Sequence, residues 1–341
     1  MHETVYPTLD IARFRFRFAI VDARTSASLS SRYLGSAWRG SFGHALRQSV
    51  CVTKASTCDG CGLVETCPYP TIFESRTPTN ATKLSRYPFT PNPYVLEPEA
   101  LQDKVISLGI VLIGQAAKQL PVVSVALERA AETGLTERRV RATLQSRTRE
   151  QIIGPSRWTD ELEAPAQAIE AGRCPERVRI RLMTPLRIKA HGRFVGAKEF
   201  RFRAFAANLL RRVSLLTHFF GAHEVEADFR KILSQAAQVE LNKAHLTWRD
   251  QTRFSSRQGT GMKLGGLIGE FEISLQGIEF LWPCLLIGQW THIGKNCTFG
   301  LGRYVIEPIG KDANPSWPTP APLQENTHNK LVSQDRSWQS G

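Results

Sequence analysis

The chain has 341 residues, 44 Lys and Arg against 31 Asp and Glu, and a formal net charge of +13. That length accommodates two domains with cores of their own, and the charge suits a polyanionic partner, nucleic acid first and an acidic membrane surface second. No apolar run approaches the roughly 20 residues that span a bilayer, and Met1-His2-Glu3-Thr4-Val5-Tyr6 lacks a basic segment followed by an apolar one. The expected location is the cytoplasm, away from membranes. Cysteines stay reduced there, so clustered ones suggest metal rather than disulfide.

Residues 11–21 alternate, with Phe14, Phe16, Phe18 and Ile20 on one face and Arg13, Arg15 and Arg17 on the other, the pattern of a half-exposed strand with a basic outer face. Residues 30–50 predict a helix whose core stripe is Trp38, Phe42, Ala45 and Leu46. A Cys- and Pro-rich loop follows over residues 51–98. Residues 108–114 predict a buried strand, and 116–133 a helix ended by Gly134. The Pro- and Gly-bearing stretch 151–175 predicts a linker.

A second unit then repeats the order. Val178, Ile180 and Leu182 alternate with Arg177, Arg179 and Arg181. Residues 204–220 predict an amphipathic helix, 245–254 and 267–275 strands, 278–290 a short helix, and 305–308 a last strand. Strand, helix, strands, helix, strand in each half predicts an α+β chain of two tandem ferredoxin-like (RRM-like) domains. They occupy residues 1–150, with the Cys-rich loop inserted, and 176–310. Residues 311–341, poor in aliphatics, predict a mostly disordered tail.

Between the last helix and strand lies Gly294-Lys295-Asn296-Cys297-Thr298-Phe299-Gly300-Leu301-Gly302-Arg303-Tyr304. Such a loop can cradle a phosphate chain, its N–H groups and cations meeting one anion. Gly300, Gly302, Lys295 and Arg303 are thus candidate RNA-binding residues. His292 either caps the preceding helix as a C-terminal cation or faces the same phosphates. Arg253, Arg257 and Lys263 interleave with Trp248, Phe254 and polar residues, a pattern able to stack bases and hold phosphates but shared by any polar hairpin tip.

Cys51, Cys58, Cys61 and Cys67 are spaced C-x6-C-x2-C-x5-C. Four thiolates can complete a tetrahedral zinc site, ranked ahead of an iron–sulfur cluster; the other reading is a set of reduced, partly buried thiols. A structural zinc would pin a loop with little core of its own. On the first predicted helix Ala37, Gly40, Ser41, His44, Arg47 and Gln48 share one face. Either the small residues pack on the sheet and His44 is a surface histidine, or they form a trench leading an RNA strand to His44. A phosphate loop, a nucleophile elbow, a zinc-protease helix and a dense carboxylate cluster for a two-metal nuclease are all missing from the sequence.

The run from Tyr33 to Arg47 resembles the first-helix motif of the CRISPR precursor-crRNA-processing endoribonucleases of the RAMP superfamily. Cys58-x2-Cys61-x5-Cys67-Pro68-Tyr69 through Ile72-Phe73-Glu74 resembles that family's cysteine-bearing branch. So do residues 252–258, Leu264-Gly265-Gly266 and residues 288–304. The resemblance implies two ferredoxin-like domains, CRISPR repeat RNA (precursor crRNA) as substrate, and one cut without a catalytic metal, leaving a 2′,3′-cyclic phosphate. Carried onto this chain, it makes His44 the general acid or base and Tyr33 the residue that orients the phosphate or assists the base. Arg47 or Arg39 supplies the cation, and the glycine loop holds the RNA backbone. CRISPR effector-complex subunits are the implied protein partners. Two alternatives stand beside it: a non-catalytic RAMP subunit that holds crRNA without cutting it, and a zinc-stabilised binder of other structured RNA.

Overall fold

Strict alternation builds the first sheet. In the computed structural model, Asp10–Ile20 form strand β1, with Ala12, Phe14, Phe16, Phe18 and Ile20 buried on one face. The structure describes residues 7–21, 33–99, 101–152, 157–190, 192–250, 252–255, 260–310 and 317–320; for 252–255 and 260–263 it describes the backbone alone. That apolar face is covered by α1 (Gly35–Val50), whose buried stripe holds Trp38, Phe42, Ala45 and Leu46. The chain continues through α2 (Pro68–Ile72), β2 (Tyr94–Pro98) and β3 (Val105–Ile113). A 3-10 turn over Gly114–Gln119 then leads to α3 (Leu120–Thr133), which packs beside α1, and to β4 (Ala142–Gln151).

Two expectations need correction here. The stretch 151–175 is not a plain linker: β5 (Arg157–Thr159) pairs with β4, and β6 (Gln167–Ala168) pairs with β1. The Cys-rich loop does not lack a core, since Tyr69, Ile72 and Phe73 are buried against Phe42 and Tyr94.

The second unit runs β7 (Arg177–Leu186), a small hairpin of β8 (Lys189–Ala190) and β9 (Arg193–Phe194), then α4 (Phe202–Phe220) and α5 (Phe229–Ala237). Helix α5, which the sequence reading did not include, is capped by Asp228, whose carboxylate accepts from the N–H groups of Arg230 and Lys231. Next come β10 (Asn242–Arg249), a hairpin of β11 (Thr252–Ser255) and β12 (Thr260–Lys263), β13 (Gly266–Ser274), α6 (Leu281–Thr291) and β14 (Tyr304–Pro308). The first sheet is ordered β2-β3-β1-β4-β5 and the second β10-β13-β7-β14. In both, the first strand of the unit lies between its third and fourth, the ferredoxin-like arrangement the sequence pattern predicts. Of the predicted tail, residues 317–320 are described, and Trp317 is buried edge-on against Trp282. Among the described residues no helix is long and apolar enough to cross a membrane.

The domains meet on the outer face of the first sheet. One end of that face is apolar: Ile11, Val95, Val111 and Ile113 belong to the same core cluster as α4, α6 and β14. The next pleat carries charge. Arg13 is completely buried, with its guanidinium 2.5 Å from both Glu97 and Glu150. From the second domain His292 Nε2 lies 3.1 Å and Arg303 Nε 3.6 Å from the same Glu97 carboxylate. Farther along, Arg15 pairs with Glu99 at 2.8 Å and lies 3.8 Å over the Trp158 ring; Arg17 reaches solvent. The expected basic outer face is thus realised only at its far end, because the second domain and β5 cover the rest.

Burial opposes ionisation of Glu97, but the charges of Arg13 and Arg303 and the hydrogen bond from His292 outweigh it and hold the carboxyl far below the usual range. Burial also pushes His292 below its ordinary value of 6.5, against the pull of Glu97. Both folded-state shifts are downward, so the unfolded chain binds these protons first as pH falls. Stability is therefore fully present above pH 6.5, declines as His292 charges in the unfolded chain, and declines again below the ordinary Glu value of 4.5. Glu97→Gln leaves Arg13 and Arg303 without their shared carboxylate. Urea unfolding at neutral pH is expected to show a loss of about 3–5 kcal/mol, with a shallower acid limb.

Candidate nucleic-acid interface and active site

The polar face of α1 is open to solvent. His44 and Gln48 are exposed, as is Gly40, while Ala37, Ser41 and Arg47 are half-buried. His44 lies opposite the buried stripe, and among the described residues no side chain hydrogen-bonds to it. The trench of small residues therefore lies on the surface rather than against the sheet. Arg47 follows His44 by three residues and shares its face. One of its N–H groups donates to the Ala55 carbonyl, and its guanidinium lies 5.6 Å from the Tyr69 ring. It ties the start of the Cys-rich loop to α1 while other guanidinium donors stay available.

Tyr33 does not join His44. Its hydroxyl donates to the carbonyl of Phe299 in the glycine loop, and α1 carries His44 about 13 Å farther along its axis at 1.5 Å per residue. Burial pushes the Tyr33 phenol up, with Glu97 and Cys297 adding to the rise. The expected role in orienting a phosphate is corrected: in this geometry Tyr33 is a neutral pin between the domains.

The glycine loop is corrected as well. His292 is 0% and Arg303 1% exposed, both turned inward onto Glu97, so neither meets an RNA strand. Burial pushes Arg303 down to about 10, aided by Arg13 and opposed by Glu97. The N–H groups of Gly300 and Gly302 are spent on the carbonyls of Cys297 and Pro185. Their value is close approach: with φ near +92° and +74°, a Cβ would lie 2.5 Å from the Leu96 carbonyl oxygen at Gly300 and 1.8 Å from that of Ile293 at Gly302. Lys295 alone of these candidates is exposed. Arg39 is half-buried, its guanidinium 4.5 Å from the Phe73 ring and 5.4 Å from Phe299. Arg253 and Lys263 lie on paired strands of the β11–β12 hairpin, with side chains outside the description, and Arg257 lies outside the described residues.

Cys51, Cys58, Cys61 and Cys67 all border one cavity of about 170 Å³ beside Tyr69 and Val64. The N–H of Cys61 donates to the Cys58 carbonyl at 3.3 Å, closing the tight turn expected there. Among the described residues no three His, Cys, Asp or Glu side chains stand at ligating positions.

Residues 180–304 match the family model of the CRISPR-associated endoribonuclease Cas6. The second domain is a Cas6-family domain. Residues 9–163 match a second family model, AF_1859_N, described as an N-terminal domain. No curated protein sequence matches the chain. Among solved structures, a Cas6 (TTHB231) product complex is 14% identical, with a TM-score of 0.51 over 86% of this chain and 98% of that one. Thermus thermophilus Cas6 (TTHB231) is 13% identical, with a TM-score of 0.50 over 87% and 98%. A chain of a partial Cas6-RT-Cas1-Cas2 complex is 13% identical, with a TM-score of 0.51 over 91% of this chain and 48% of that one. At such identities these structures establish the tandem ferredoxin-like fold.

The Cas6-family domain contributes the glycine loop, and the N-terminal domain contributes His44. Sequence reading missed the residues that join them, Arg13, Glu97 and Glu150. Their only signal was a carboxylate, Glu97, directly after the apolar run Tyr94-Val95-Leu96 in the same strand, where a charge without a buried partner is costly. It missed the pairing of Arg187 with Phe194 too, since Phe194 sits on a hairpin too short to register as periodic and Arg187 just before it. If Tyr33 is a pin, Tyr33→Phe removes one hydrogen bond, lowering stability by about 1 kcal/mol in urea unfolding while single-turnover RNA cleavage stays at the wild-type rate.

Proposed function

We propose that the chain cuts CRISPR repeat RNA to release crRNA by attack of the RNA's own 2′-hydroxyl, leaving a 2′,3′-cyclic phosphate and a 5′-hydroxyl, with His44 as the proton-transfer group. The Cas6-family domain over residues 180–304 supports RNA-precursor processing as the activity; the assignment to His44 rests on one observation of this structure. That imidazole stands on the solvent face of α1, free of hydrogen bonds to described residues and flanked by Gly40, Ala37 and Ser41, which let a backbone approach. The reaction must take a proton from the 2′-oxygen, give one to the departing 5′-oxygen, and offset charge on the phosphorane. An imidazole can do either proton transfer near neutral pH, and Arg47, one turn on, is the nearest cation on the same face. No step calls for a metal ion. Delivery of the product to CRISPR effector-complex subunits belongs to the same proposal.

End-labelled repeat RNA incubated with the protein in EDTA is expected to give one cut, abolished by a 2′-deoxy substitution at the scissile nucleotide. His44→Ala is expected to lower the single-turnover rate by roughly 10²–10⁴ while repeat affinity is unchanged. An unchanged rate removes His44 from the chemistry, and tight binding with no cut by the wild type favours the non-catalytic RAMP subunit.

The same proposal gives the four loop cysteines a structural zinc ion, supported by the single cavity they share. Bound zinc would close the loop by tetrahedral thiolate coordination. Metal analysis of the purified chain is expected to find about one zinc per chain, lost in the Cys58→Ser/Cys61→Ser double variant.

A further inference from the structure

The second domain carries an aromatic surface that the cleavage reading does not use. Phe194, at the end of β9, is 41% exposed, and Trp248, near the end of β10, is 39% exposed. Their ring centroids are 6.4 Å apart with planes inclined by 57°. Large aromatics left in contact with each other and with water are unusual enough to mark a binding surface.

This pair is built rather than left over. Arg187 Cζ lies 4.5 Å and Lys189 Nζ 5.0 Å from the centroid of the Phe194 ring. The short hairpin sets Lys189 directly opposite Phe194. Arg187 also donates to the Gly265 carbonyl at 2.9 Å, and Gly265 is what makes room for the indole: a Cβ there would fall 2.4 Å from Trp248 Nε1 and 2.8 Å from its Cε2. Trp248 Nε1 donates to Asp250 at 2.9 Å, which fixes the ring's orientation. Asp250 is the acid bonded to the indole; the cations near the rings include Arg187, Lys189, the exposed Arg193 and, through its N–H on the Arg187 carbonyl at 2.7 Å, the exposed Lys295 of the glycine loop.

We propose that Phe194 and Trp248, held by Arg187 and Gly265, form a stacking platform for unpaired nucleotides of the bound RNA, with Lys189, Arg193 and Lys295 on the adjoining phosphates. Rings with cations at their margin match the two parts of a nucleotide, a flat base and a charged linkage. A protein interface is depleted of charge at its apolar centre, whereas here Arg187 and Lys189 bear directly on the Phe194 ring. The proposal rests on the RNA-cutting reading and adds where single-stranded RNA lies and what grips it. It also gives Lys295 a place in binding separate from the buried His292 and Arg303.

The test uses the full chain and a short fluorescein-labelled oligoadenylate, read by anisotropy at low salt. The double variant Phe194→Ala/Trp248→Ala is expected to bind it about tenfold or more weakly than wild type. Phe194→Tyr/Trp248→Phe, which keeps both rings, is expected to stay within about threefold. Since both rings are exposed, urea unfolding of either variant should match wild type. Wild-type-like affinity in the alanine variant overturns the platform and hands the surface to a protein partner; an equal loss in the ring-preserving variant overturns it too, as does a wild type that does not bind the oligomer. Repeat-RNA cleavage by the wild type is run in parallel. Failure there with ring-dependent oligomer binding intact sinks the cleavage reading alone, whereas cutting with ring-independent binding sinks the platform alone.

Discussion

Glu97 is the point on which the two domains depend. A carboxylate in the pleat beside Val95 and Val111 would be too costly to bury by itself; here it takes Arg13 from its own sheet and His292 and Arg303 from the other domain. Glu150 balances the second cation by pairing with Arg13. The network is buried throughout, and each partner is buried because the others are. It also holds an unusual backbone: His292, at the end of α6, has φ near +55° and ψ near 168°, a conformation that costs a non-glycine residue about 1–3 kcal/mol. Its bond to Glu97, together with the grip of Arg212 on the neighbouring Thr291 carbonyl, over-determines that turn.

This arrangement separates two kinds of positive charge. In β1 and the glycine loop, Arg13, Arg15 and Arg303 are consumed in holding the fold. The same is true on the outer face of the second sheet, where Arg179 pairs with Glu272, and Arg181 with Glu270 and Glu307. What remains for a polyanion lies elsewhere: around Phe194 and Trp248, at Lys295, and along the open face of α1. A basic strand is therefore a poor guide to where nucleic acid lies unless the opposing strand is known.

Much of the architecture was legible in the residues. Phe14, Phe16 and Phe18 announce a strand, Trp38, Phe42 and Leu46 a helix face, and the repeated order predicts two ferredoxin-like units. The misreadings share one cause. Tyr69, Phe73, Trp158 and Gln167 stand in stretches without period, and their packing is decided by segments distant in the chain. His44 was readable as an exposed residue because helical spacing alone sets its face. His292 and Arg303 were not, since a loop's spacing does not say which way it turns.

Composition, period and motif by themselves determined the polyanionic partner, the two-unit topology, the family resemblance and the candidate histidine, because these follow from properties local to a few residues or summed over all of them. Only tertiary structure decided which cations are spent. Whether Arg13, Arg303 or Lys295 faces solvent depends on a carboxylate at least 84 residues along the chain from each of the two that are buried, and on whether the second domain covers the first. Charge is written in the sequence, but its neutralisation is a matter of contact.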